Sequence, residues 1–167
     1  VYATTSVDDC DGGSYDGISF THRPDSLVFY VKRNVDKGKE VGKVLVYSWK
    51  GSATAYNTTA KETKTNQERV IFSKYRNHLS SFDSKVSYSN DFELVGAAEY
   101  DIPDENINSW RRVSIPINYL TNNNPDQLNI VIAGTNYFVR DDVIEGNKLW
   151  VDDIKFVYNP YINGVVI

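Results

Sequence analysis

Apolar and polar residues alternate along this chain in short runs, cut by clusters of turn-forming residues. From Leu27 to Arg33, Leu27, Phe29 and Val31 share one face and Val28, Tyr30 and Lys32 the other. Bulk on both faces predicts a strand at the centre of a sheet. Val44 to Trp49 is apolar on both faces in the same way. Trp110 to Ile117 alternates cleanly, with Val113, Ile115 and Ile117 turned inward and Arg112 and Ser114 outward; Leu128, Ile130 and Ile132 form the next inward row. Phe92 to Ile102 is a further strand, and Val1 to Val7 and Ser14 to Thr21 open the chain as strand-prone segments. The breaks are Asp8-Asp9-Cys10-Asp11-Gly12-Gly13, Arg23-Pro24-Asp25-Ser26, Asp36-Lys37-Gly38-Lys39, Pro103-Asp104-Glu105-Asn106 and Asn122-Asn123-Asn124-Pro125-Asp126.

The last long run, Lys148 to Tyr158, carries an irregularity. Leu149 and Val151 alternate with their neighbours, and Ile154, Phe156 and Tyr158 alternate in the opposite phase. The slip falls at Asp152-Asp153. A single extra residue on a strand exchanges its two faces, so a β-bulge is predicted at that pair. Two middle stretches are less regular: Gly51 to Gln67 reads as a ragged edge strand or a loop, and Ser73 to Asn90 as loop or a short helix. Gly134 to Asn147 reads as a loop, and Tyr161 to Ile167 as an apolar tail. Roughly nine or ten short strands without a long amphipathic helix predict an all-β fold, an antiparallel sandwich or barrel, in one domain spanning 1–167.

Composition narrows the functional classes. The 167 residues carry a net charge of −4, which argues against a nucleic-acid partner. No apolar run approaches the ~20 residues of a membrane-crossing helix. The chain has no methionine, as expected of a mature or trimmed piece of a longer protein, and one cysteine, Cys10, so no internal disulfide can form. Aromatic residues make up 13%, including 12 tyrosines and 3 tryptophans. Their flat apolar faces and polar edges serve either a β-rich core or a surface for hydroxylated ligands such as sugars.

Two separated stretches resemble the putative carbohydrate metabolism domain family of Bacteroidetes surface proteins. One is Gly17 to Lys32, with Phe20, Arg23-Pro24, Leu27, Tyr30 and Lys32 in the family's order. The other runs from Trp110 through Ile115-Pro116-Ile117-Asn118-Tyr119 and Pro125 to Ile132, closing with Gly146 to Tyr158 and its Leu-x-Val-Asp-Asp-Ile strand. The family's serine run after the Ile-Val-Ile strand is Ala133-Gly134-Thr135 here. The resemblance implies a jelly-roll β-sandwich. It also implies an extracellular or outer-membrane setting, lipid-anchored in the full-length protein, beside neighbouring domains and in contact with a glycan or polysaccharide.

Candidate chemistry follows from residue type and place. Trp110, at the start of a strand, is expected in the core. Tyr47, Trp49, Tyr137 and Phe138, near loops, are expected to stack on sugar rings, and Arg23 either grips a sugar carboxylate or pairs with an internal acid to lock its turn. Asp152 and Asp153, with Asp8, Asp9 and Asp11, are candidates for a structural calcium, which takes six to eight oxygens; the other reading is that Asp152 accepts backbone amides. A glycosidase needs two carboxylates ~5–9.5 Å apart. Glu99 and Asp101, two apart on one strand and hence ~6.6–7 Å along it, meet that spacing in principle, but an exposed polar face is the preferred reading. His22 and His78 lie in no nucleophile motif, so a hydrolase triad has no support. The expected function is a non-catalytic carbohydrate-binding module, with a glycoside hydrolase and a structural or adhesion module as alternatives.

Overall fold

The computed structural model describes residues 18–51, 90–135 and 143–158 in full. It also describes the backbone of strand segments at 2–3, 12–13, 53–57, 62–64, 84–88, 161–162 and 165–166. In chain order the strands are β1 (Tyr2–Ala3), β2 (Gly12–Gly13), β3 (Ile18–Ser19), β4 (Ser26–Asn34), β5 (Gly42–Lys50), β6 (Ala53–Asn57), β7 (Glu62–Lys64) and β8 (Ser84–Tyr88). They continue with β9 (Glu93–Ile102), β10 (Ile107–Pro116), β11 (Asn118–Tyr119), β12 (Gln127–Ala133), β13 (Lys148–Val157), β14 (Tyr161–Ile162) and β15 (Val165–Val166). No helix occurs among the described residues.

The fold is an all-β antiparallel sandwich, the class that the alternation predicts. A five-stranded sheet has the order β11-β9-β5-β12-β3, and a three-stranded sheet the order β10-β4-β13. Successive strands change sheet at β3 to β4, β4 to β5, β9 to β10, β10 to β11 and β12 to β13. The two runs with bulk on both faces, β4 and β5, are interior strands of their sheets. Strand β8 lies inside Ser73 to Asn90, where the sequence suggests loop or helix. It pairs with β6, which pairs in turn with β7, in a separate three-stranded sheet.

The chain divides into two compact units. The first comprises Val1–Thr21, Tyr47–Gly96 and Tyr119–Asn129, and the second His22–Val46, Ala97–Asn118 and Ile130–Ile167. In the first, Asp126 ties strand ends together: its amide donates to the Trp49 carbonyl, its carbonyl accepts from Phe20, and its carboxylate accepts from the Gly51 amide. Gly96 is glycine for want of space, since a Cβ there would lie 3.0 Å from the Tyr119 ring.

The second unit holds the whole three-stranded sheet. On β4, Leu27, Phe29 and Val31 are buried and face inward. The ladder sets Val113 opposite Phe29, Ile115 opposite Leu27 and Val151 opposite Val31, so the inward rows of all three strands coincide. Arg33 continues the inward row and is itself buried. Its guanidinium donates to the backbone carbonyls of Glu40, Gly134 and, at 3.5 Å, Ile102, which joins β4 to the end of β9. Burial holds this guanidinium below its ordinary pKa, against the opposing charges of Glu40 and Asp104. Glu40, also buried, accepts from the Ile144 amide at 3.0 Å and from Asn147 Nδ2 at 3.1 Å.

Strand β13 shows the predicted slip. Asp152 pairs with Tyr30 and Lys155 with Val28, so Asp153 and Ile154 together oppose the single residue Phe29. Before this bulge the inward residues are Leu149 and Val151; after it, Phe156 faces inward opposite Leu27. Asp153 takes the extra turn with a φ of 49°, a left-handed conformation that aspartate tolerates better than most residues.

Candidate functional site

The outward face of the three-stranded sheet follows from the same register. Lys32, on the outward row of β4, lies directly opposite Trp150 of β13. On its other side the β10 ladder is irregular between Ile107 and Arg111. This irregularity brings the Trp110 ring under the lysine, with Nζ 4.8 Å from the ring centroid. That distance is within cation–π range. Both tryptophans keep nearly half their surface in solvent, 44% for Trp110 and 46% for Trp150. Strands flanking a common neighbour are two spacings apart, about 10 Å. The backbones that carry the two tryptophans are therefore about 10 Å apart, with Lys32 on the strand between them. The next row along the sheet is Arg112, Tyr30 and Asp152, in register across the three strands. Tyr30 is half-buried, and Arg112 and Asp152 are exposed.

The expected ranking of the tryptophans is reversed. Trp110, expected in the core, is exposed, whereas Tyr47 and Trp49 have no exposed surface. Those two rings stack on each other, 5.5 Å apart at 24°. Both faces of β5 are covered from Gly42 to Trp49, so a position near the end of a strand does not bring Trp49 to the surface. Among the described residues the Trp49 indole nitrogen has no hydrogen-bond acceptor. Tyr137 and Phe138 lie outside the described residues. Arg23 is half-buried beside the buried Pro24. It precedes β4 at the end remote from Lys32, about 20 Å or more along the extended chain.

Sequence parity carried the signal for the exposed pair. Trp110 shares the parity of Arg112 and Ser114 and opposes that of the buried Ile107, Val113 and Ile115. Trp150 likewise opposes the parity of Leu149 and Val151.

Asp152 and Asp153 sit together at the bulge, both exposed. Asp152 Oδ1 accepts from the Asp153 amide at 2.8 Å, and Asp153 Oδ2 accepts from Lys155 Nζ at 2.7 Å. The two carboxylates thus satisfy the bulge and a neighbouring ammonium. Among the described residues no group of three acidic, histidine or cysteine side chains gathers to hold a metal. As described, the pair falls short of a calcium shell of six to eight oxygens; Asp8, Asp9 and Asp11 lie outside the described residues.

Glu99 and Asp101 do share a face of β9, and one lysine bridges them. Lys43 Nζ donates to Glu99 Oε1 at 2.7 Å and to Asp101 Oδ1. Burial alone would lower the lysine's pKa; the bonds from Asp101 and Glu99 outweigh it and leave the ammonium raised. This is an ion-pair clamp between β5 and β9, with both carboxylates engaged by the same cation.

No family model matches the chain, and no curated protein matches it. Among solved structures it is similar to a protein of Bacteroides thetaiotaomicron described as a "putative glycoside hydrolase". The TM-score is 0.47 at 16% identity, over 86% of this chain and 40% of that one. This chain therefore spans less than half the length of its structural neighbour. At that level the likeness assigns no activity.

Proposed function

We propose that this chain is a non-catalytic carbohydrate-binding module whose glycan lies across the outward face of β10, β4 and β13, on the rings of Trp110 and Trp150. The observation that supports this is the pair of half-exposed indoles on the two strands flanking Lys32. Two half-exposed tryptophans on one sheet face offer apolar surface with polar edges. Sugar rings offer the complementary surface, with C–H faces for the indoles and hydroxyls for Tyr30, Arg112 and Asp152 around them. The resemblance of the two framing stretches to a family of Bacteroidetes surface proteins supports membership of that family and a location outside the cell, tethered to the outer membrane beside other domains. The Lys43 clamp on Glu99 and Asp101 favours binding over hydrolysis, since a glycosidase needs its two carboxylates turned to a scissile bond. A glycan array, followed by titration of the best glycan, tests the reading. Trp110→Ala and Trp150→Ala are each expected to weaken binding at least about tenfold with the fold intact. Unchanged binding in both variants, or no glycan bound at all, would overturn it.

A further inference from the structure

The charge on this face is at odds with the charge of the chain. The protein as a whole carries −4. On the outward rows, however, Lys148 lies opposite Asn34, Lys32 lies between the two tryptophans, and Arg112 lies opposite Tyr30. Lys155 follows, opposite Val28. Facing these cations from all three strands is one outward carboxylate, Asp152, already used by the Asp153 amide. Asp153 at the bulge is held by Lys155, and Glu105 by Arg111. Among the described residues, Lys32, Arg112 and Lys148 have no carboxylate in ion-pair range.

From this we infer that the platform is selective for an acidic polysaccharide, one that carries uronic acid carboxylates; the inference rests on the binding reading above. The tryptophans supply stacking for any pyranose. The charges supply the choice. Lys32 Nζ lies over the Trp110 ring, 4.8 Å from its centroid, so its ammonium stays at the surface against that indole. A carboxylate on a sugar lying across both rings would meet it there. Arg112 is in the adjacent row, ~6.8 Å along the strand. It offers the planar fork that matches a carboxylate with two parallel hydrogen bonds. A neutral glycan would leave all three cations unused. The excess is also local, since the chain as a whole carries a net charge of −4.

The test is titration calorimetry of the intact chain with polygalacturonate, a neutral xylan and dextran sulfate, at low and high sodium chloride. The variants are Lys32→Gln, Arg112→Gln, Lys148→Gln and Trp110→Ala, each first shown to melt like the parent. Tighter binding of polygalacturonate than of xylan is expected. That binding should weaken about fivefold in Lys32→Gln and in Arg112→Gln, and fall with salt. Equal affinity for xylan, lost in Trp110→Ala but untouched by the three charge variants, would overturn the acidic preference and leave the platform reading standing. Equal binding of dextran sulfate, insensitive to Trp110→Ala, would mean simple polyanion adsorption and would overturn the inference. Loss of no binding in any variant would overturn both.

Discussion

Lys43→Met is the most direct probe of the clamp between β5 and β9. It removes the ammonium and keeps most of the aliphatic stem. The lysine side chain is 8% exposed, Glu99 20% and Asp101 61%. Breaking a buried pair costs ~3–5 kcal/mol, because the surviving charge stays buried without a partner. An exposed pair is worth only ~0–1 kcal/mol. Glu99 lies nearer the first limit and Asp101 the second, so the expected loss is about 2–3 kcal/mol. In a chain of this size each kcal/mol moves the melting temperature ~2–4 °C. Far-ultraviolet circular dichroism at pH 7, with urea and thermal unfolding, should therefore show a drop of roughly 5–10 °C. The double variant Lys43→Met, Glu99→Gln should lose less than the sum of the two single variants, since the pair is then removed together. The pH dependence has a definite sign. The folded pKa of Lys43 is raised, so its contribution is complete below the ordinary lysine value of about 10.4 and is lost as pH rises through the folded value. A Lys43→Met loss below about 0.5 kcal/mol, or losses in the two single variants that simply add in the double one, would refute the clamp.

Three further outcomes follow from the packing. Gly42→Ala should destabilise by about 1–3 kcal/mol in urea titration, because the added methyl would collide with the Arg33 guanidinium and press on the Ala133 carbonyl and Ile102. Asp153→Gly should change stability by less than about 1 kcal/mol, since it exchanges an exposed ion pair for freedom at φ 49°, whereas Asp153→Val should lose more than the glycine variant because a branched side chain resists that conformation. Asp36 is held below the ordinary aspartate range by hydrogen bonds from Asn34 and Asn106. Its contribution is therefore present above that range and lost as pH falls through the depressed value, so Asn106→Ala should be less stable than the parent at pH 7, and the gap should narrow in strong acid without closing, because Asn106 Oδ1 also accepts from the Val35 amide.

Most of the sheet framework was legible because alternation reports burial; in β12 the buried pair is Leu128 and Val131, where alternation expects Leu128, Ile130 and Ile132. The double-faced runs of β4 and β5 announced interior strands, and the change of phase at Asp152-Asp153 announced the bulge, because a fixed inward face admits only one way to accommodate an extra residue. The exposed platform was less legible. Residue type pulled Trp110 toward the core and Trp49 toward the surface, while strand parity pointed Trp110 outward. Residue type is a statement about averages, whereas parity is a constraint imposed by the backbone. Nothing local told that Tyr47 and Trp49 are covered, since what covers a strand face comes from elsewhere in the chain. Strand β8 was missed because Ser84 to Tyr88 offers one apolar alternation, too little to separate a strand from a loop.

The two indoles are mounted on a hydrogen-bonded ladder and not on loops. The spacing of their backbone positions is therefore quantised: it changes only in whole strand widths of ~4.8 Å or residue steps of ~3.4 Å. If a polymer binds there, as proposed, such a surface would act as a ruler. It would favour repeats that match one of a few discrete lengths, and drift in the connecting segments would leave its graduations untouched. Retuning it would require moving a tryptophan to a new rung, a change of at least two substitutions.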